Sequence, residues 1–476
     1  MKRIYYILAL LFPLASCNEW LDFTPPGAVD EDKMFEDERG FQEVLAGSYS
    51  LLTSPSAYGM ELTAGFPDEI ARYWAERSEF FNFKYEDAAV VGRLASTWNK
   101  MYETIANLNL LLDHAKKWTP ETMPHYNLIV GEAKGLRAYL HLDLLRLFGP
   151  VLPDGIDRPA IPYRDEFSNN ITRQMTAREV LVKIETDLTE ARTLLVNDPI
   201  HENGRSIENA SIANDPGNKA FAYIFRGIRM NYHAVCATLA RYHLLTGNKP
   251  EALARAKEVI DAKEIFQLGN AKTSSQDYMF QPELVWALYD AEIDKSGHLG
   301  NTSFSFSYSV NDAFRSFVYK EQGYGLPDDS RLNHWWGTTG TTPAMEYLSK
   351  YFRVMNNDND VTKWEKVISM IRLSELYYIA AEALIGTDNA EARRLLQEVR
   401  NARNLSTSLI PETLSGDELL EQILAEQRKE FWGEGKLFYT YKRLFHDIII
   451  RDSKIPASRA IFELPVPKEE IEYGNN

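Results

Sequence analysis

Cysteine is almost missing from this chain, with only Cys17 and Cys236 in 476 residues. That scarcity excludes a disulfide framework and a zinc finger. Long apolar runs are rarer still: the longest, Ile4–Ala15, is too short to span a bilayer comfortably as a helix. Positive charge is in deficit, with 52 Lys+Arg against 68 Asp+Glu and a formal charge of −16. Sequence-independent nucleic-acid binding needs clustered cations facing phosphates, so no nucleic-acid partner is expected. Catalytic signatures are missing too. There is no nucleophile-elbow serine, glycine-rich phosphate loop, dinucleotide fingerprint or zinc-binding His-Glu pair at helical spacing. No catalytic residue, cofactor or metal is therefore expected. A carboxylate pair for sugar hydrolysis stays open, because the sequence holds many acids and does not report their separation. Asn356–Asp360 resembles the start of a calcium loop but lacks its glycine and closing glutamate, which favours a polar turn. His334, beside Trp335, reads as a solvated loop histidine.

What is present begins at the first residues. Lys2 and Arg3 precede the apolar stretch, which ends in Leu14-Ala15-Ser16-Cys17. A positive start, a short apolar core and small residues before a cysteine make a secretory signal whose Cys17 accepts lipid. This resembles the bacterial lipobox and makes 1–16 a signal peptide. Several acyl chains on one cysteine anchor stably where one chain holds only marginally. Cys236, in MNYHAVCATLARY, then reads as a small apolar residue on a buried helix face.

The mature chain, 17–476, reads as a single, mainly helical domain. Apolar spacings of three and four mark Asn127–Phe148 and Ala177–Val196 as helices, with weaker patterning from Phe41 and over Thr97–Lys117. Two later segments share a plan of helix, short turn and helix: Ala237–Ile260, turning at Thr246-Gly247-Asn248, and Leu376–Arg400. Their alanines allow close packing, as in tetratricopeptide-type pairs. Ser415 and Glu418 form a capping box for a C-terminal helix. Between the pairs runs an insertion of about 269–362, rich in Ser, Gly, Asn and aromatics, with strand-like alternation over Thr302–Val310. A loop segment this long is usually functional. Its Trp335-Trp336 pair and Tyr324, with Tyr73 and Trp74 in the other loop-rich stretch, are the candidate ligand-binding residues. Flat rings held in exposed loops stack on sugar rings or peptide side chains. Trp98 and Tyr102, at i,i+4, read as core.

Several blocks together resemble the SusD/RagB family of outer-membrane lipoproteins. They are the lipobox with Cys17-Asn18-Glu19-Trp20-Leu21-Asp22, Trp98–Tyr102, the helix GEAKGLRAYLHLDLLRLFGPV (131–151), Ile371–Glu375 leading into Ala380–Ala383, Gln427–Lys436 with Tyr441–Leu444, and Leu464–Ile471. The resemblance implies a scaffold of tetratricopeptide-like helix pairs with long loop-rich insertions. It implies a glycan or peptide ligand, a SusC-like TonB-dependent transporter as partner, and an outer-membrane, surface-exposed location. A surface hydrolase and a helical-repeat adaptor for protein partners remain the alternatives. The C-terminal block reads as structural, with Arg428 forking to a scaffold carboxylate.

Overall fold

The structure is a computed structural model. It describes residues 31–74, 78–205, 225–269, 277–300, 366–450 and 453–473, with 309–310, 315, 317–319, 329–338, 346–348 and 350–351 from the segment between. Cys17, Tyr324 and Asn356–Asp360 lie outside the described residues.

Ten helices of eight residues or more stand among the described residues: α1 Glu38–Leu52, α2 Ala88–Ala115, α3 Tyr126–Phe148, α4 Ala177–Leu194, α5 Tyr232–Leu245, α6 Lys249–Ile260, α7 Leu373–Leu384, α8 Asn389–Ala402, α9 Gly416–Glu430 and α10 Leu437–Leu444. Each of α1 to α8 packs on the next in order. The sequence breaks this series between α6 and α7, where the insertion leaves and returns, yet the two helices lie side by side. The mainly helical expectation therefore holds; α3 and α4 match their expected spans closely, while α2 begins at Ala88, well before the expected Thr97.

Local chemistry sets the ends. Asp37 and Asp87 accept from backbone amides at the starts of α1 and α2. Thr176 with Glu179 opens α4, and Ser415 with Glu418 opens α9, each as a reciprocal capping box. The two helix pairs turn alike. Gly247 at φ +78° precedes Asn248, which caps α6, and Gly386 at φ +86° precedes Asp388, which caps α8. Glycine takes the left-handed conformation there without a side-chain penalty. Most of the α3 surface is buried. At Gly135 a methyl group would lie 2.8 Å from Met230 Cγ and 3.1 Å from Val235, so the missing side chain lets this segment approach.

Strand β1 (Leu284–Tyr289) pairs antiparallel with β5 (Val367–Arg372), and β5 runs directly into α7. All of β1 is buried except its last residue, Tyr289. Within the insertion, β2 (Ser309–Val310), β4 (Glu346–Leu348) and β3 (Trp336–Thr338) form a small sheet in that order. Of the strand expected over Thr302–Val310, Ser309–Val310 is the described part. Buried apolar residues from Phe35 to Leu464 form one contiguous cluster. No described helix is long and apolar enough to cross a membrane. Cys236 sits fully buried on α5, and that burial pushes its thiol up to about 12.

Candidate functional site

The fold draws three of the expected ligand aromatics together, but turns them inward. Tyr73 stacks on Trp432 at 4.9 Å between centroids, Trp74 meets the same ring edge-on at 6.2 Å, and Trp336 does so at 4.6 Å. Trp335 leaves in another direction, packing on Phe280 at 5.4 Å and under Lys350 Nζ at 4.0 Å. All four rings are buried, with Trp335 at 0% and Trp336 at 9% exposure. Their polar edges are also engaged. Tyr73 donates to Arg428 O at 2.8 Å, Trp74 to Ala64 O at 2.9 Å and Trp335 to Tyr278 O at 2.8 Å.

The exposed platform expected of Trp335 and Trp336 is thus corrected. The pair straddles the junction between the short helix Ser330–His334 and β3, and both rings find apolar partners from distant segments. His334 is corrected as well. It is half-buried, stacks on Tyr278 at 4.4 Å and donates from Nε2 to Asp277 O at 2.9 Å. Burial pulls its pKa down.

A buried ion network holds this part of the insertion against α9. Glu430 accepts from Arg331 Nη1 at 3.0 Å, Arg372 Nη1 at 2.5 Å, and Arg403 Nε at 3.0 Å and Nη2 at 2.6 Å. Arg331 also forks to Asp329 and reaches Glu426 at 2.8 Å. Glu434 pairs with Arg372 and Lys350. Burial alone would raise these carboxyls, but the surrounding cations win and hold Glu426, Glu430 and Glu434 below the usual range. Glycoside hydrolysis needs one acid that is still protonated near neutral pH. These three are tuned the other way, for a fixed scaffold. Arg428 shares this interior: it is buried and donates to the Tyr441 hydroxyl at 2.5 Å.

An open site lies instead where the insertion leaves β1. A groove of about 490 Å³ runs between the end of α1, with Ser50 and Thr53, and the segment Tyr289–Glu292 with His298. Tyr289 is 49% exposed here, at the tip of an otherwise buried strand. Next to it, Asp290 Oδ2 lies 2.8 Å from His298 Nδ1. Backbone bonds fix the segment: Asp290 N donates to Lys366 O at 2.8 Å, and Leu299 N to Gly59 O at 3.2 Å. The groove combines a held, exposed ring with hydroxyls and a polar pair, and its volume suits a small ligand. Sequence reasoning missed Tyr289, because the insertion reads mostly as loop and no strand is expected at LVWALY. The abrupt Asp-Ala-Glu that follows was the available signal.

Residues 19–213 match a family model described as starch-binding associating with outer membrane, and residues 273–463 match the model of the SusD family. SusD-like protein P2 of Formosa agariphila is 23% identical across 92% of this chain and 89% of its own length. SusD-like protein P38 of the same organism is 22% identical across 90% and 88%. A SusD superfamily protein of Bacteroides thetaiotaomicron has a TM-score of 0.71 at 22% identity, covering 94% of this chain and 98% of that one. A SusD-like carbohydrate binding protein of Bacteroides vulgatus has a TM-score of 0.69 at 19% identity, covering 92% and 97%.

Proposed function

The chain belongs to the SusD/RagB family, and from that premise we propose that it is a cell-surface lipoprotein that binds neutral glycans and delivers them to a TonB-dependent outer-membrane transporter. The observation that carries the glycan reading is Tyr289, a ring left 49% exposed over a groove of about 490 Å³ and flanked by hydrogen-bonding groups. A sugar ring offers one flat C–H face and a rim of hydroxyls. The tyrosine face covers the first, and His298, Ser50 and Ser54 answer the second. The chain's formal charge of −16 disfavours anionic glycans at long range. The description of one matching family model as starch-binding, and the carbohydrate-binding description of the B. vulgatus neighbour, support the same class.

The buried network gives this reading its mechanical side. The scaffold and the described core of the insertion are locked by paired charges. The lipid on Cys17 would hold the protein at the outer membrane, beside the transporter.

The test is electrophoresis of the mature protein through gels containing soluble starch, xylan, galactomannan or laminarin, with the glycan examined afterwards for new reducing ends. Retardation by at least one glycan without cleavage is expected. Free migration in all four gels contradicts the glycan reading. Release of new reducing ends makes the protein a hydrolase.

A further inference from the structure

A second groove, sharing no residue with the first, runs along α2. Its floor is a single helical stripe, where Asn99, Tyr102, Ala106 and Asn109 recur at spacings of three and four. One wall is the loop 162–172 and the other is the tail at Pro467–Glu470. The space is about 550 Å³, within the range of small-molecule sites. The stripe from Asn99 to Asn109 spans about 15 Å of helix, room for a short oligomer.

The wall loop is fastened from several sides. Asn109 Nδ2 donates to Arg164 O at 3.0 Å and to Glu166 O at 3.3 Å. Arg137 Nη1 donates to Asp165 O at 3.1 Å. Arg164 Nη2 donates to Ser168 O at 2.7 Å and to Asn170 O at 3.2 Å. This fastening does not tuck the apolar side chains away. Phe167 stays 47% exposed and Ile171 60%. A ring pinned in water keeps its unfavourable hydration until a flat surface covers it. Tyr102 adds a second, half-buried ring, tilted at 45° against Trp98 with centroids 4.8 Å apart and its hydroxyl given to Pro162 O at 2.7 Å.

Around the rings stand the exposed amides of Asn99, Asn169 and Asn170. Charge then narrows the choice of ligand. Arg164 faces Glu166, Glu469 and Glu470, a net negative lining that repels uronates, phosphates and nucleic acid. Rings, amides and hydroxyls without a cationic cluster fit an uncharged polyhydroxy chain.

We propose that the α2 groove is a second binding site for a neutral oligosaccharide, separate from the Tyr289 groove and resting on the glycan-binding reading above. Two sites on one rigid body bind one polymer chain more tightly than either alone, because the second contact becomes intramolecular.

The test uses the same four glycan gels and a pectate gel, with the unaltered mature protein, Phe167→Ala, Asn169→Ala/Asn170→Ala, Tyr289→Ala, and Phe167→Ala combined with Tyr289→Ala. Phe167→Ala should weaken apparent affinity for a retarding neutral glycan by about two- to tenfold, the worth of one stacking contact. The paired asparagine variant should weaken it too, and the combined variant should be weaker than either single one. Melting curves should not move, since these side chains are exposed, and pectate should retard nothing. Phe167→Ala and the asparagine variant migrating like the unaltered protein in every retarding gel overturns the second site while leaving the Tyr289 reading intact. Pectate retarding the protein through Phe167 overturns the choice of a neutral ligand. No retardation of the unaltered protein in any gel contradicts both readings.

Discussion

Changing Glu430 to alanine leaves Arg331, Arg372 and Arg403 buried without the carboxylate they share. Glu430 and the three guanidinium residues are fully buried, so water cannot take its place. Breaking one buried ion pair in this way costs about 3–5 kcal/mol. Asp329, Glu283 and Glu434 still partner these arginines, which keeps the cost within that range. An unfolding entropy of about 2.1 cal/mol/K per residue amounts to about 1 kcal/mol/K for a chain of this length. The melting temperature should therefore fall by about 3–5 °C. Hydrogen exchange should quicken at 329–338, the part of the insertion that Arg331 and Asp329 hold down. A pH arm follows from linkage. Carboxyls depressed in the folded state contribute stability that is complete above the unfolded pKa of about 4.3 and is lost as pH falls through the folded values. The unaltered protein should lose stability below about pH 4.5, with a shallower loss in Glu430→Ala. An unchanged melting temperature together with unchanged exchange at 329–338 refutes the idea that this network fastens the insertion.

Four further outcomes are expected. Trp335→Ala/Trp336→Ala should lower the melting temperature by several degrees, since removing each buried indole costs about 3–5 kcal/mol; an unmoved melting curve with weakened oligosaccharide titration would return the pair to an exposed platform. Tyr289→Ala should weaken glycan affinity by about two- to tenfold with no change in melting, checked by calorimetric titration with the retarding oligomer. Lys442, fully enclosed and donating to Leu147 O and Gly149 O, is pulled down by burial to about 7. The unfolded chain then holds the extra proton between about pH 7 and 10, so stability should rise with pH across that window, and Lys442→Met should abolish the rise in a pH series of melts. Cys17→Ala should leave the precursor uncleaved or release the protein from the outer membrane, and normal fractionation of that variant would sink the lipid anchor.

The scaffold was legible because its signals are local. Apolar spacing marked α3 and α4, Gly247 and Asn248 marked one turn, and Ser415 with Glu418 marked the start of α9. The packing of α6 on α7 was not legible, since more than a hundred residues separate them. The orientation of Trp335 and Trp336 was illegible for the same reason: their partners Phe280, Lys350 and Trp432 come from other parts of the chain. Loop composition suggested exposure, but long-range packing decided burial. Tyr289 was illegible too: it lies in the insertion that reads mostly as loop, whereas the structure sets it at the exposed end of a buried strand. The burial of Cys236 followed from its helical surroundings, and the interior position of Arg428 agrees with the structural role expected of the C-terminal block.

The most direct measurement is a crystal structure of the mature protein soaked with the oligosaccharide that retards it in the gels. A sugar ring lying over the Tyr289 face, with hydroxyls within hydrogen-bond distance of Ser50, Ser54 or His298, is the predicted result. Sugar density elsewhere, with the Tyr289 groove holding only solvent at saturating ligand, contradicts it.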